Sequence, residues 1–123
     1  GGDSENPGVI VDEGTATVAP ADVPNIEGSW NGSYQSPTES RGLTAEIDQA
    51  GRRLTILTSL PGEGQVFTGY FRDNGSIYLE DGTTGEIWTS IGGISSSRFT
   101  IRDYLYDSNL GTNSPEQDIF FSR

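Results

Sequence analysis

Ile26-Glu27-Gly28-Ser29-Trp30-Asn31-Gly32-Ser33-Tyr34 alternates with a period of two, placing Ile26, Gly28, Trp30, Gly32 and Tyr34 on one side and Glu27, Ser29, Asn31 and Ser33 on the other. Successive side chains of an extended strand point to opposite faces, so the stretch predicts a half-buried strand with its indole turned inward. Seven further segments read the same way: 42 to 49, 52 to 58, 65 to 72, 76 to 80, 86 to 91, 97 to 106 and 117 to 122. With 26 to 35 they make eight strands. Between them stand Ala50-Gly51, Pro61-Gly62-Glu63-Gly64, Asp73-Asn74-Gly75, Asp81-Gly82, Gly92-Gly93 and a longer loop around 107 to 116. Gly and Asn supply the positive φ that tight hairpins require. No window carries a period of 3.6, which leaves at most a single helical turn near 115 to 118.

Short loops make neighbouring strands antiparallel, and eight of them can remove their exposed edges by closing. The expected fold is therefore all-β, an eight-stranded antiparallel up-and-down barrel over residues 26–123, with an open sandwich as the alternative. Two-residue parity turns Leu43, Ala45, Ile47, Leu54, Ile56, Ile77, Leu79, Ile87, Ile91, Phe99, Ile101, Ile119 and Phe121 inward beside Ile26, Trp30 and Tyr34. The other parity carries Tyr78, Trp88, Tyr104, Tyr106 and Phe120 on the last four strands. Side by side they would form an exposed aromatic patch, a mark of an interaction surface. Alternatively, Val9-Ile10-Val11 or a second layer covers them.

Residues 1–25 differ in kind, being rich in Gly, Pro, Ala, Ser and acids, with Asp3, Glu5, Asp12, Glu13 and Asp22 against no Arg. Such a composition cannot offset its own ordering entropy, and a flexible acidic leader or tether is expected. The whole chain of 123 residues has a net charge of −11, seven Arg and no Lys, His, Cys or Met. Without imidazole, thiol or amine most enzyme mechanisms are out of reach, so a non-catalytic protein is expected. No basic stripe exists to hold a phosphate backbone, which argues against nucleic acid as a partner. No apolar run reaches the roughly 20 residues a membrane span needs.

Ile26-Glu27-Gly28-Ser29-Trp30 resembles the Gly-x-Trp opening of lipocalins and their relatives among the calycins, which include avidins and fatty-acid-binding proteins. In that superfamily the Trp closes one barrel end, and a cation near the end of the last strand lies across its ring. The resemblance implies that role for Trp30 and Arg123, a contact worth about 0.5 to 2 kcal/mol. The rhythm of 26–123 is also similar to that of small bacterial exported barrel domains. The domain is shorter than a lipocalin and lacks the later lipocalin motifs, and its strands of about six residues leave a narrow lumen that inward side chains can fill. Gly1-Gly2-Asp3-Ser4 looks like the segment after the acylated Cys of a bacterial lipoprotein. That likeness implies a lipid anchor upstream of Gly1 and a periplasmic or outer-membrane-attached location.

Two oxygen-rich groupings qualify as chemistry. Asp107, Asn109, Asn113 and Asp118 stand at calcium-loop spacing, with Gly111 and Glu116 among them, but depart from an EF-hand and lack flanking helices. They are solvated loop residues on the simpler reading, and no metal or other cofactor is expected. Glu80, Asp81 and Glu86 supply carboxylates around one hairpin, as a glycosidase would need, though 18 acids make such proximity ordinary. The expected function is a binding module for a small apolar or carbohydrate ligand, contacted through Tyr78, Trp88 and Tyr104. The alternative is a structural or protein-interaction domain of the bacterial cell envelope, with a filled barrel and no small-molecule ligand.

Overall fold

The computed structural model describes residues 23–59, 64–107 and 112–123, with side chains left out at 104–107 and 112–116. Its strands are β1 (Gly28–Gln35), β2 (Ser40–Ala50), β3 (Arg53–Thr58), β4 (Gln65–Phe71), β5 (Ile77–Asp81), β6 (Ile87–Ser95), β7 (Arg98–Asp107) and β8 (Thr112–Ser122). Each pairs antiparallel with the next, and β8 returns to β1 through Gly32 opposite Phe121 and Ser33 opposite Phe120. The result is a closed eight-stranded barrel. An apolar row faces inward along the strands, and closure leaves no edge unpaired. An open sandwich is excluded. β8 begins at Thr112, so the expected helical turn near 115 to 118 is strand, its backbone bonds taken up by β7.

The inward rows make a solid core. Trp30 meets Phe99 edge-to-face at 5.1 Å, Phe99 stacks on Phe121 at 4.7 Å, and Phe67 meets Trp88 edge-to-face at 5.4 Å. Such pairs contribute about 0.5–1.5 kcal/mol each beyond their buried area. Ile26, Ile56, Phe71, Ile77, Leu79, Ile101 and Ile119 fill the space between them, each fully buried.

One end is plugged. The segment before β1 folds across it, with Val23 and Ile26 buried, the Ile26 amide donating to Gln49 Oε1 at 2.7 Å, and Gln49 Nε2 donating to the Pro24 carbonyl at 3.0 Å. Trp30 Nε1 donates to the Ile26 carbonyl at 2.8 Å. The Arg123 guanidinium lies 4.3 Å from the centre of the Trp30 ring and donates to the carbonyls of Asn25, Glu27 and Ser96. The stacking of Arg123 on Trp30 is thus part of the plugged end. Gly28 adopts φ +120, a region L side chains avoid, and a Cβ there would stand 2.9 Å from Arg123 Nη1. A side chain at Gly28 would be strained at that φ and would push on the tip of the Arg123 guanidinium.

The phase of β6 departs from expectation. Leu79 opposes Trp88, which opposes Asp103, and directly opposed residues share a face. Trp88 is thus inside, 1% exposed, and Ile87 is outside. The facing residues decide the phase, because Trp88 pairs with Leu79, which already stands on the inward row of β5. Ser90, also inward, accepts from the Ile77 amide at 2.8 Å, satisfying a backbone group that the short β5–β6 ladder leaves over. A register shift between Ile91 and Ser95 then turns Ile94 onto the core.

Candidate functional site: the polar end of the barrel

Followed to the end opposite the plug, the inward rows change from apolar to polar. Tyr34 of β1, Thr58 of β3, Gln65 of β4, Asp81 of β5, Asp103 of β7 and Gln117 of β8 each stand two residues beyond a buried apolar residue of the same strand, with Gly32 taking that place in β1. Strand alternation therefore delivers their side chains to one interior layer. Asp81 and Asp103 are buried as deeply as the isoleucines around them, at 0% and 1% exposure. Glu86, half-buried just before β6, joins them.

Buried polar groups require partners, and most here have them. Asp81 Oδ1 accepts from the amides of Thr83 (2.8 Å) and Thr84 (3.3 Å), shaping the β5–β6 connection, while its Oδ2 accepts from Gln65 Nε2 at 2.5 Å. A second chain runs through three strands: the Tyr34 hydroxyl donates to Gln117 Oε1, and Gln117 Nε2 donates to Asp103 Oδ2 at 2.9 Å. Burial first, then hydrogen bonding with and the like charge of Asp103, hold the Glu86 carboxyl above its ordinary 4.5, with Asp81 adding to the effect; the Thr84 hydroxyl opposes it. Among the described residues, two buried atoms of this layer and its neighbour have no hydrogen-bond partner: Gln65 Oε1 and Trp88 Nε1.

Among the described residues the expected outer aromatic patch is not contiguous. Tyr78 does face outward, stacked on Tyr70 at 5.3 Å with the Arg72 guanidinium 5.7 Å from its ring centre. Phe120 is outward and 44% exposed, but it pairs with Thr100 and Ser33 and lies three strands from Tyr78. Trp88, expected between them, is in the core. Tyr104 and Tyr106 belong to β7, and their side chains lie outside the described residues. Of the calcium-spaced residues, Asp118 is on the outer wall, gripped by Arg102 through Nε–Oδ1 at 2.7 Å and Nη2–Oδ2 at 2.9 Å. That ion pair takes both its oxygens. Asp107, Asn109 and Asn113 lie outside the described residues or side chains. Of the hairpin acids, Glu80 is exposed on the outer wall, while Asp81 turns inward and Glu86 is half-buried.

The polar layer was within reach of the sequence. Extending each inward row by two residues toward the same end meets Thr58, Gln65, Asp81, Asp103 and Gln117, all polar, a coincidence across strands that apolar bookkeeping passes over. Fold and site together define a small closed antiparallel barrel with a plugged aromatic core and one hydrogen-bonding end. Comparison with family models, curated proteins and solved structures gives no match for this chain.

Proposed function

We propose that this barrel is a non-catalytic binding module whose ligand-binding end is the polar layer, and that its ligand is a small polyhydroxylated molecule of the carbohydrate class. One observation carries the reading: Trp88 Nε1–H, a donor, and Gln65 Oε1, an acceptor, are both buried and unpartnered beside a layer whose other groups are bonded. Each such group costs about 1–3 kcal/mol, which a hydroxyl that both donates and accepts would recover. The filled aromatic core argues against a wholly apolar ligand in the lumen. Binding of this kind needs no titrating nucleophile, in keeping with a chain that has no His, Cys or Lys. We extend the reading to an exported bacterial domain on an acidic leader, supported by the composition of residues 1–25 and the lipoprotein-like Gly1-Gly2-Asp3-Ser4.

Calorimetric titration with neutral mono- and disaccharides tests it. A binder is expected, and Trp88→Phe, which keeps the ring and loses only the N–H, is expected to weaken it about tenfold. No binding by any sugar, or equal binding by Trp88→Phe, would overturn the proposal. A second reading, a structural or protein-interaction domain, draws on the solid core and the half-buried Tyr70–Tyr78 stack on the outer wall. Sedimentation across concentrations distinguishes it: a dimer broken by Tyr78→Ala supports this second reading, and a monomer throughout removes self-association.

A further inference from the structure

Asp81 and Asp103 are the most deeply buried acids among the described residues, and the donors that reach them are neutral. Asp81 accepts from the backbone amides of Thr83 and Thr84 and from Gln65 Nε2, and Asp103 accepts from Gln117 Nε2. Among the described residues no Arg forms an ion pair with either. Arg41, Arg52 and Arg102 pair with Glu39, Asp73 and Asp118, and Arg123 donates to carbonyls at the plugged end. The chain has no Lys or His to add. A carboxylate withdrawn from water is costly unless a positive charge meets it, and neutral amides offset only part of that cost. The compensating charge is one that the described chain does not supply.

We propose that the ligand of the polar end carries an ammonium group among its hydroxyls, as an amino sugar does, with Asp103 and Asp81 as the counter-charges. This inference rests on the carbohydrate reading above and narrows it. Two observations besides the acids point to such a ligand. Gln65, already a donor to Asp81, keeps a buried Oε1 without a partner, and an unmet acceptor beside an acid calls for a donor. An ammonium offers three donors together with its charge. Trp88, 1% exposed, stands directly opposite Asp103 on the inward face, and its Nε1–H has no partner. An ammonium cannot accept from that N–H, but a neighbouring hydroxyl of the same molecule can. A metal ion could not accept from it either, and among the described residues no three acids are grouped to ligate one. Tyr34, Glu86 and Gln117 of this end are half-buried, so the layer borders solvent there.

Titration calorimetry on the full chain compares glucosamine and galactosamine with glucose and galactose, and with N-acetylglucosamine, whose amide keeps the nitrogen and removes the charge. The amino sugars are expected to bind about tenfold tighter than the neutral sugars, the gain of a charge-assisted over a neutral hydrogen bond. Asp103→Asn keeps the shape of the side chain and loses its charge, and in it the preference is expected to disappear. The wild-type comparison uses no variant, so it decides the matter even if Asp103→Asn does not fold. Neutral sugars that bind as tightly as amino sugars would overturn this inference and leave the carbohydrate reading standing. Failure of every one of these sugars to bind would overturn both. An undiminished preference in folded Asp103→Asn would overturn the assignment of the counter-charge.

Discussion

Trp30→Ala is expected to lower folding stability by about 3–5 kcal/mol, the range for deleting a buried aromatic side chain and leaving a cavity. The reason is that one indole performs three tasks at the plugged end. Its ring seats edge-to-face on Phe99, its N–H holds the carbonyl of the buried Ile26, and its outer face receives Arg123. Removing it unfastens the segment before β1 as well as emptying the core. Small domains are held by about 5–15 kcal/mol in total, so much of the margin would disappear. Trp30→Phe, which keeps most of the ring, should cost about 1–2 kcal/mol, chiefly the hydrogen bond to Ile26. Urea unfolding of the three chains checks the order, and an alanine variant as stable as the phenylalanine one would contradict it.

Gly69→Ala is expected to be the most damaging single methyl in the barrel, costing about 3 kcal/mol or more. A Cβ at Gly69 would stand 1.8 Å from the Tyr78 carbonyl oxygen and 2.9 Å from Leu79 Cα. Both are backbone atoms of β5, paired on their other side to β6, so relief requires the sheet itself to move. Gly42 in β2 provides the contrast, with nothing within 4 Å of an added Cβ. Gly42→Ala should leave the unfolding midpoint within about 0.5 kcal/mol of the parent. Comparable losses at the two positions would mean that β4 and β5 do not approach as described.

Much of this architecture is readable from residues alone because two-residue alternation is unambiguous wherever one parity is apolar and the other polar. Ile26 to Tyr34 and Leu43 to Ile47 are of that kind, and their inward rows lie where alternation puts them. The method failed at β6, where Ile87 and Ile91 stand on one parity and Trp88 on the other. There the facing residues decide, and that Leu79 and Asp103 would oppose Trp88 depends on a register that no local window contains. The polar end was missed for a different reason. Asp81 and Asp103 resemble solvent residues one strand at a time, and only reading the inward rows together gathers them with Gln65 and Gln117. The helical turn expected near 115 to 118 was lost to the same non-local term, since β7 was available to pair with that segment.

The central claim, a closed barrel whose inward rows run from an aromatic plug to a hydrogen-bonding end, is tested most directly by a nuclear Overhauser spectrum of the chain in solution. The account predicts backbone contacts between Gly32 and Phe121 across the β8–β1 seam, together with ring contacts between Trp88 and Phe67. A spectrum in which the β1 and β8 edges have no cross-strand contacts, and the Trp88 ring touches none of the Phe67 protons, would contradict it.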